Sequence, residues 1–138
     1  MRGASRNPET ENGSYWLKPV DYGNSTLKHY EPKPKLMKLY LAGPMSGYPE
    51  HNFPLFLSRT AELRAKGYDI LSPAEIEPNP DGESTWVYYM RKCVVMVAQS
   101  DAVAVLPGWE NSRGATVEVG LARNLEMPIL DSETLEEI

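Results

Sequence analysis

In this 138-residue chain, Glu118 is the side chain best placed for chemistry. Positions 115, 118, 119, 122 and 125 share one face of a helix, and Ala115, Val119, Ala122 and Leu125 are apolar, so a carboxylate occupies a core-facing slot. Burying an unpaired carboxylate is costly, so such a group finds donors or lines a cavity. The alternative is a glutamate at the edge of the stripe that reaches solvent. A helix beginning at Ser112 would put Glu118 about 9 Å down its axis, and a start at Gly114 about 6 Å, at ~1.5 Å per residue. Ser112 and Gly114 stand where that helix opens, and a hydroxyl with free N–H groups there suits a phosphate or sugar oxygen, with Arg113 near enough to add charge. Ser112 could equally serve only as the helix cap. Trp109 beside them could stack on a planar base or anchor its loop. Tyr40 could present its hydroxyl to the same region or pack as core.

A second loop, Gly43-Pro44-Met45-Ser46-Gly47 running on to Asn52, has glycines that permit tight turning and close approach to a ligand. It is neither a dinucleotide fingerprint nor a Walker P-loop, and an ordinary strand-to-helix turn is the competing reading. His29 and His51 lack partners at ligand spacing. A lone Cys93 cannot close an internal disulfide, and two histidines with one cysteine make no structural zinc site, so no metal is expected.

The elements that must position these residues are legible. Leu36–Leu41 is an apolar run short enough for a buried strand, ended by Gly43-Pro44. Phe53, Phe56, Leu57, Thr60 and Leu63 follow at helical spacing and stop at Gly67. Tyr68–Leu71 reads as a second strand, and residues 73–83, with three prolines, as a loop. Trp86, Tyr89, Met90, Cys93, Val94 and Val97 make an amphipathic second helix. Asp101–Leu106 has the continuous apolar character of a central parallel strand. Residues 113–126 form a third helix capped by Asn111 or Ser112, and Pro128–Leu130 is a fourth strand. This order predicts an α/β fold: a doubly wound parallel sheet of four or five strands in order 2-1-3-4, a flavodoxin- or Rossmann-like three-layer sandwich. Ligands in such sheets bind at the switch point beyond the carboxyl ends of the strands, which selects residues 43–52 and 107–114.

Length and composition bound the answer. The chain has room for a single domain, with 41% hydrophobic and 24% charged residues. Residues 1–35 carry six basic and four acidic side chains, with four prolines and no apolar periodicity. They read as a polar extension that either stays unstructured or docks through Tyr15, Trp16, Tyr22 and Tyr30. Residues 36–131 form the domain, and 132–138 an acidic tail expected to fray. Residues 36–138 hold eight basic and fifteen acidic side chains, a net −7, which disfavours duplex nucleic acid as a partner. No apolar run approaches the roughly 20 residues that span a bilayer, and the polar N-terminus lacks a secretory pattern, so a cytoplasmic protein without membrane partners is expected.

Tyr40-Leu41-Ala42-Gly43-Pro44-Met45-Ser46-Gly47, then Asn52-Phe53-Pro54 with Phe56, then Gly108-Trp109-Glu110-Asn111-Ser112-Arg113-Gly114-Ala115 followed by Glu118 and Ala122, resemble the nucleoside 2-deoxyribosyltransferase-like proteins. The likeness covers about residues 37–131 and is nearest to a small branch common in bacteriophages and bacteria. It implies chemistry on the N-glycosidic bond of a nucleoside or nucleotide, related to that of 2′-deoxynucleotide N-hydrolases. By resemblance Glu118 is the nucleophile or ion stabiliser at the anomeric carbon, and Tyr40 holds it. Gly43, Pro44, Met45, Ser46, Gly47, Ser112 and Gly114 would contact a 5′ phosphate, and Asn52, Trp109 and Cys93 the base or sugar. The resemblance implies no cofactor and a homo-oligomer, a dimer or larger. At one position the chain departs: the relatives carry an aspartate where Cys93 stands, and a thiol is a weak proton donor. A catalytically impaired nucleotide-binding or sensing module, or an accessory protein acting through protein contacts, therefore stands as the alternative to an enzyme.

Overall fold

Alternation along the strands builds two cores at once. In the computed structural model, which describes residues 35–138, β1 (Lys38–Ala42) sends Tyr40 and Ala42 to one face and Leu39 and Leu41 to the other. β3 (Ala102–Val105) divides Val103 and Val105 from Ala102 and Ala104 in the same way. All these side chains are buried, as required of parallel strands covered on both faces. β2 (Asp69–Leu71) and β4 (Ile129–Asp131) complete a four-stranded parallel sheet in the order β2-β1-β3-β4. Register follows from Leu39 opposite both Ile70 and Ala102, and Val103 opposite Ile129. Both the α/β class and the expected strand order are thus observed.

Helix α1 (Phe53–Ala65) covers one face with Phe56 and Leu63, while Phe53 and Leu57, read from spacing as part of the stripe, lie exposed. Helices α2 (Trp86–Gln99) and α3 (Arg113–Asn124) cover the other face with Cys93, Val97, Ala115, Val119 and Ala122. Thr85 caps α2 by accepting from the Tyr88 N–H, and Ser112 caps α3 by accepting from the Ala115 N–H. Both helices therefore begin at the carboxyl edge of the sheet, the edge selected by the switch-point argument.

The other edge is tied by Asp101, whose carboxylate accepts from the Lys38 backbone N–H at 2.8 Å just before β3. That hydrogen bond, with Lys35 and Lys38 nearby, holds its carboxyl below the usual range. The acidic tail does not fray as expected. Asp131 caps the backbone N–H groups of Glu133 and Thr134, Leu135 packs against the α1-side core, and the Ile138 N–H returns to the Ile129 carbonyl. Burial of Leu135 outweighs the solvation of the four acids around it. The expectations for residues 1–34, including the docking arm and His29, lie outside the described residues. Among the described residues no helix is long and apolar enough to cross a membrane.

Two glycines test this packing in opposite directions. A Cβ on Gly43 would sit 2.8 Å from the Leu106 Cβ, so the turn after β1 can lie against the residue that follows β3 only without a side chain. A Cβ on Gly120, inside α3, would meet nothing within 4 Å. Gly43→Ala is expected to cost about 1–3 kcal/mol by overpacking, and Gly120→Ala to gain about 0.5–1 kcal/mol from helix propensity. Urea unfolding of the two variants checks this, and equal shifts in one direction would refute the assignment.

Candidate active site

A tyrosine from the sheet and a glutamate from a helix meet inside the core. Tyr40, fully buried on β1, donates its hydroxyl to Glu118 Oε2 at 2.7 Å, and Glu118 is only 4% exposed. With α3 starting at Arg113, Glu118 lies about 7 Å from the helix start, between the two depths anticipated. The competing readings of Tyr40 merge: its ring is core and its hydroxyl meets the Glu118 carboxylate.

Cys93 on α2 adjoins both groups, so sheet and two helices each contribute one polar atom. Burial pushes the Glu118 carboxyl up to about 7, against the hydrogen bonds from Tyr40 and Cys93 that lower it. Burial also pushes the Cys93 thiol up to about 12, with the Glu118 charge adding to it. The same causes, burial first, hold the Tyr40 phenol well above its ordinary range. Among the described residues no Lys, Arg or His nitrogen forms an ion pair with Glu118 within 4.0 Å.

Two further layers cross between the helices above this trio. One turn before Glu118, Gly114 gives room to α2: a Cβ there would lie 3.2 Å from the Met90 Sδ and 3.8 Å from the Trp86 Nε1. Above them the Arg113 guanidinium stacks 3.8 Å over the Trp86 ring. Sequence reading placed Trp86 and Met90 on the apolar face of α2 without this role. Their shared face with Cys93, at spacings of seven and three, was the available signal. Two open grooves of about 620 and 410 Å³ flank Tyr88 on the other side of α2, and Glu118 lines neither.

The remaining candidates divide by position. Gly43, Pro44, Met45, Ser46 and Gly47 form the turn leaving β1, with Pro44 buried, Met45 packed on the α1-side core and Ser46 exposed. Asn52 donates through Nδ2 to the Pro44 carbonyl at 2.9 Å, folding that loop on itself. Ser112 caps α3 through Oγ, and Gly114 provides the close approach just described. Trp109 is partly buried against the α2/α3-side core, with Arg123 5.9 Å from its ring. His51 is exposed in the first loop.

Comparison with known proteins places this geometry. A family model described as a domain of unknown function, DUF4406, matches residues 37–131. No curated protein matches the chain. Among solved structures, a conserved protein from Enterococcus faecalis V583 is similar, with a TM-score of 0.56 at 18% identity over 70% of this chain. The chain spans only 63% of that protein's length. A 2-deoxyribosyltransferase from Bacillus psychrosaccharolyticus, a biocatalyst for nucleoside synthesis, is similar with a TM-score of 0.54 at 20% identity, over 67% of this chain and 69% of its own. At these identities the likeness is one of fold, a four-stranded parallel sheet with helices on it.

The buried carboxyl makes stability depend on pH. Glu118 is protonated in folded and unfolded chains below about 4.5, and between there and about 7 the unfolded chain ionises first. Its contribution is therefore full at low pH and lost as pH rises through about 7, a change of about 3 kcal/mol. Relative to the parent, Glu118→Gln is expected to gain about that much stability between pH 4 and pH 8. Urea unfolding across this range checks it; parallel stability curves for the two proteins would contradict it.

Proposed function

The chain belongs to the DUF4406 family, and from that membership and the Glu118 geometry we propose that it acts on the N-glycosidic bond of a nucleotide or modified deoxynucleotide, by hydrolysis or deoxyribosyl transfer. One observation carries the reading. A carboxylate, buried and held by a tyrosine hydroxyl, sits beneath two helix N-termini on a sheet of the kind that a deoxyribosyltransferase also uses.

Cleavage of an N-glycosidic bond leaves positive charge on the sugar, and an ionised carboxylate at the anomeric carbon stabilises that charge or bonds to it. Glu118 fills this role, and Tyr40 fixes the carboxylate orientation. Water completes hydrolysis, or a second base completes transfer. A 5′ phosphate finds free N–H groups at the start of α3, and the Ser112 hydroxyl keeps its proton free to donate while its oxygen caps the helix. The 43–47 turn closes the phosphate side, with Asn52 and Trp109 on the base and sugar. Met90 and the Trp86–Arg113 stack lie over this path and move aside when ligand enters. A second copy of the chain completes the assembly as a homo-oligomer, in the cytoplasm.

The deep burial of Glu118 and the thiol at Cys93 favour a second reading, a nucleotide-binding or sensing module on the same scaffold. A panel of deoxynucleoside monophosphates and free nucleosides, followed for released base by chromatography, separates the two. Base release is expected, falling at least about 100-fold in Glu118→Gln. In Tyr40→Phe it should fall about 10-fold or more, since a hydrogen bond to a charged group is worth about 1.5–3 kcal/mol. Turnover unchanged in Glu118→Gln would remove the carboxylate from the mechanism, and a thermal shift with nucleotide but no base released from neutral-base or cationic-base compounds would establish the binding module.

A further inference from the structure

A departing base leaves more readily when it carries a proton or a positive charge. A neutral nucleoside base takes the bonding electron pair with it, so an acid that protonates the base accelerates its departure. Around Glu118 the described residues offer two hydrogen-bearing groups, the Tyr40 phenol and the Cys93 thiol, and both adjoin the carboxylate itself. No other Asp, Glu or His side chain of the described residues is buried with it. Burial holds the phenol and thiol protonated throughout the physiological range, which makes them poor acids. Glu118 must be ionised to face the sugar cation, so it cannot hold the proton that the base would need.

The charge balance of the site points the same way. Glu118 is a buried carboxylate, and among the described residues no Lys, Arg or His nitrogen pairs with it within 4.0 Å. A neutral ligand leaves that charge uncompensated, whereas a cation brings its own compensation.

We propose that the site cleaves N-glycosides whose base is already a cation, such as an N-alkylated purine or a pyridinium, so that the base leaves as a neutral heterocycle without being protonated. This rests on the glycosidic reading above and names its substrate class. The C1′–N bond breaks and its electron pair passes to the ring nitrogen, cancelling the positive charge there. The Glu118 carboxylate meets the resulting oxocarbenium-like sugar. A water oxygen bonds to the anomeric carbon and one proton passes to solvent, so a cationic substrate and water give a neutral base, a free sugar phosphate and one proton.

The test uses the full chain with nicotinamide 2′-deoxyriboside 5′-monophosphate, whose pyridinium is cationic at every pH, against dAMP and dCMP. Each kcat/KM is normalised to the uncatalysed hydrolysis of the same compound. The expected enhancement is at least about 100-fold greater for the pyridinium, the lower end of what a general acid supplies to a neutral base. For the pyridinium, kcat/KM should rise as Glu118 ionises and then level off to pH 9, with no falling limb. Equal enhancement for dAMP or dCMP, or a bell-shaped profile with the pyridinium, would overturn the substrate class and leave the glycosidic reading intact. Release of base from none of the three compounds would overturn both.

Discussion

A carboxylate inside an apolar face must be met by a donor or surrender its proton, and the arrangement of Tyr40 and Glu118 answers to that demand. The phenol that meets Glu118 comes from β1, which pairs with both β2 and β3 and is covered on both faces, so its position is fixed by the most constrained part of the sheet. The helix carrying the glutamate is held against that strand through Ala115, Val119 and Ala122, two of them residues without bulk. A larger side chain at 115 or 122 would lift α3 from the sheet and break the 2.7 Å contact between Tyr40 and Glu118. Cys93 closes the third side with a weakly polar group that packs as a small hydrophobe, and burial raises the carboxyl pKa against the lowering contributions of Tyr40 and Cys93.

What lies above the trio is ordered by the same two helices. Because α2 and α3 both begin at the carboxyl edge, each turn toward their N-termini adds one layer over Glu118, first Met90 on Gly114 and then Arg113 on Trp86. A single absent Cβ, at Gly114, sets how closely these layers settle. The facing loop stores strain of its own. Glu50, His51 and Asn52 are three consecutive non-glycine residues in the left-handed region, at φ of 52°, 55° and 62°. Each costs of order 1–2 kcal/mol, and the Asn52 side chain bonded to Pro44 helps hold the conformation. Strain of this kind clusters at ligand clamps, where surrounding structure fixes a conformation that the chain alone would leave.

Most of this fold was legible in the sequence because its signals are local. The four strands and three helices announce themselves by apolar runs, helical spacing and Gly or Pro stops, and parallel connectivity then leaves few strand orders. Glu118 was legible for the same reason, as an acid that breaks an apolar period. Pairings between distant residues were not. Nothing local says whether Tyr40 is core or ligand to a carboxylate, since Glu118 is 78 positions away. The Trp86–Arg113 stack joins two helices through a separation that no periodicity spans. The tail misled because its composition is acidic: one leucine, Leu135, and four backbone hydrogen bonds decide its course, and composition weighs neither.

The negative charge of residues 36–138 takes on a different meaning once the acids are sorted by environment. Most are exposed, where solvent and salt screen them, and they create a diffuse field that disfavours polyanions and draws in small cations. Asp101 and Asp131 are spent on backbone N–H groups at opposite ends of the sheet. Glu118 alone among the described acids is buried, where a charge acts at short range and with little screening. The diffuse field can favour approach of a cation but cannot choose among cations. Under the proposed glycosidic reading that choice falls to one buried carboxylate, and what it favours is set by where positive charge lies on the ligand when the glycosidic bond gives way.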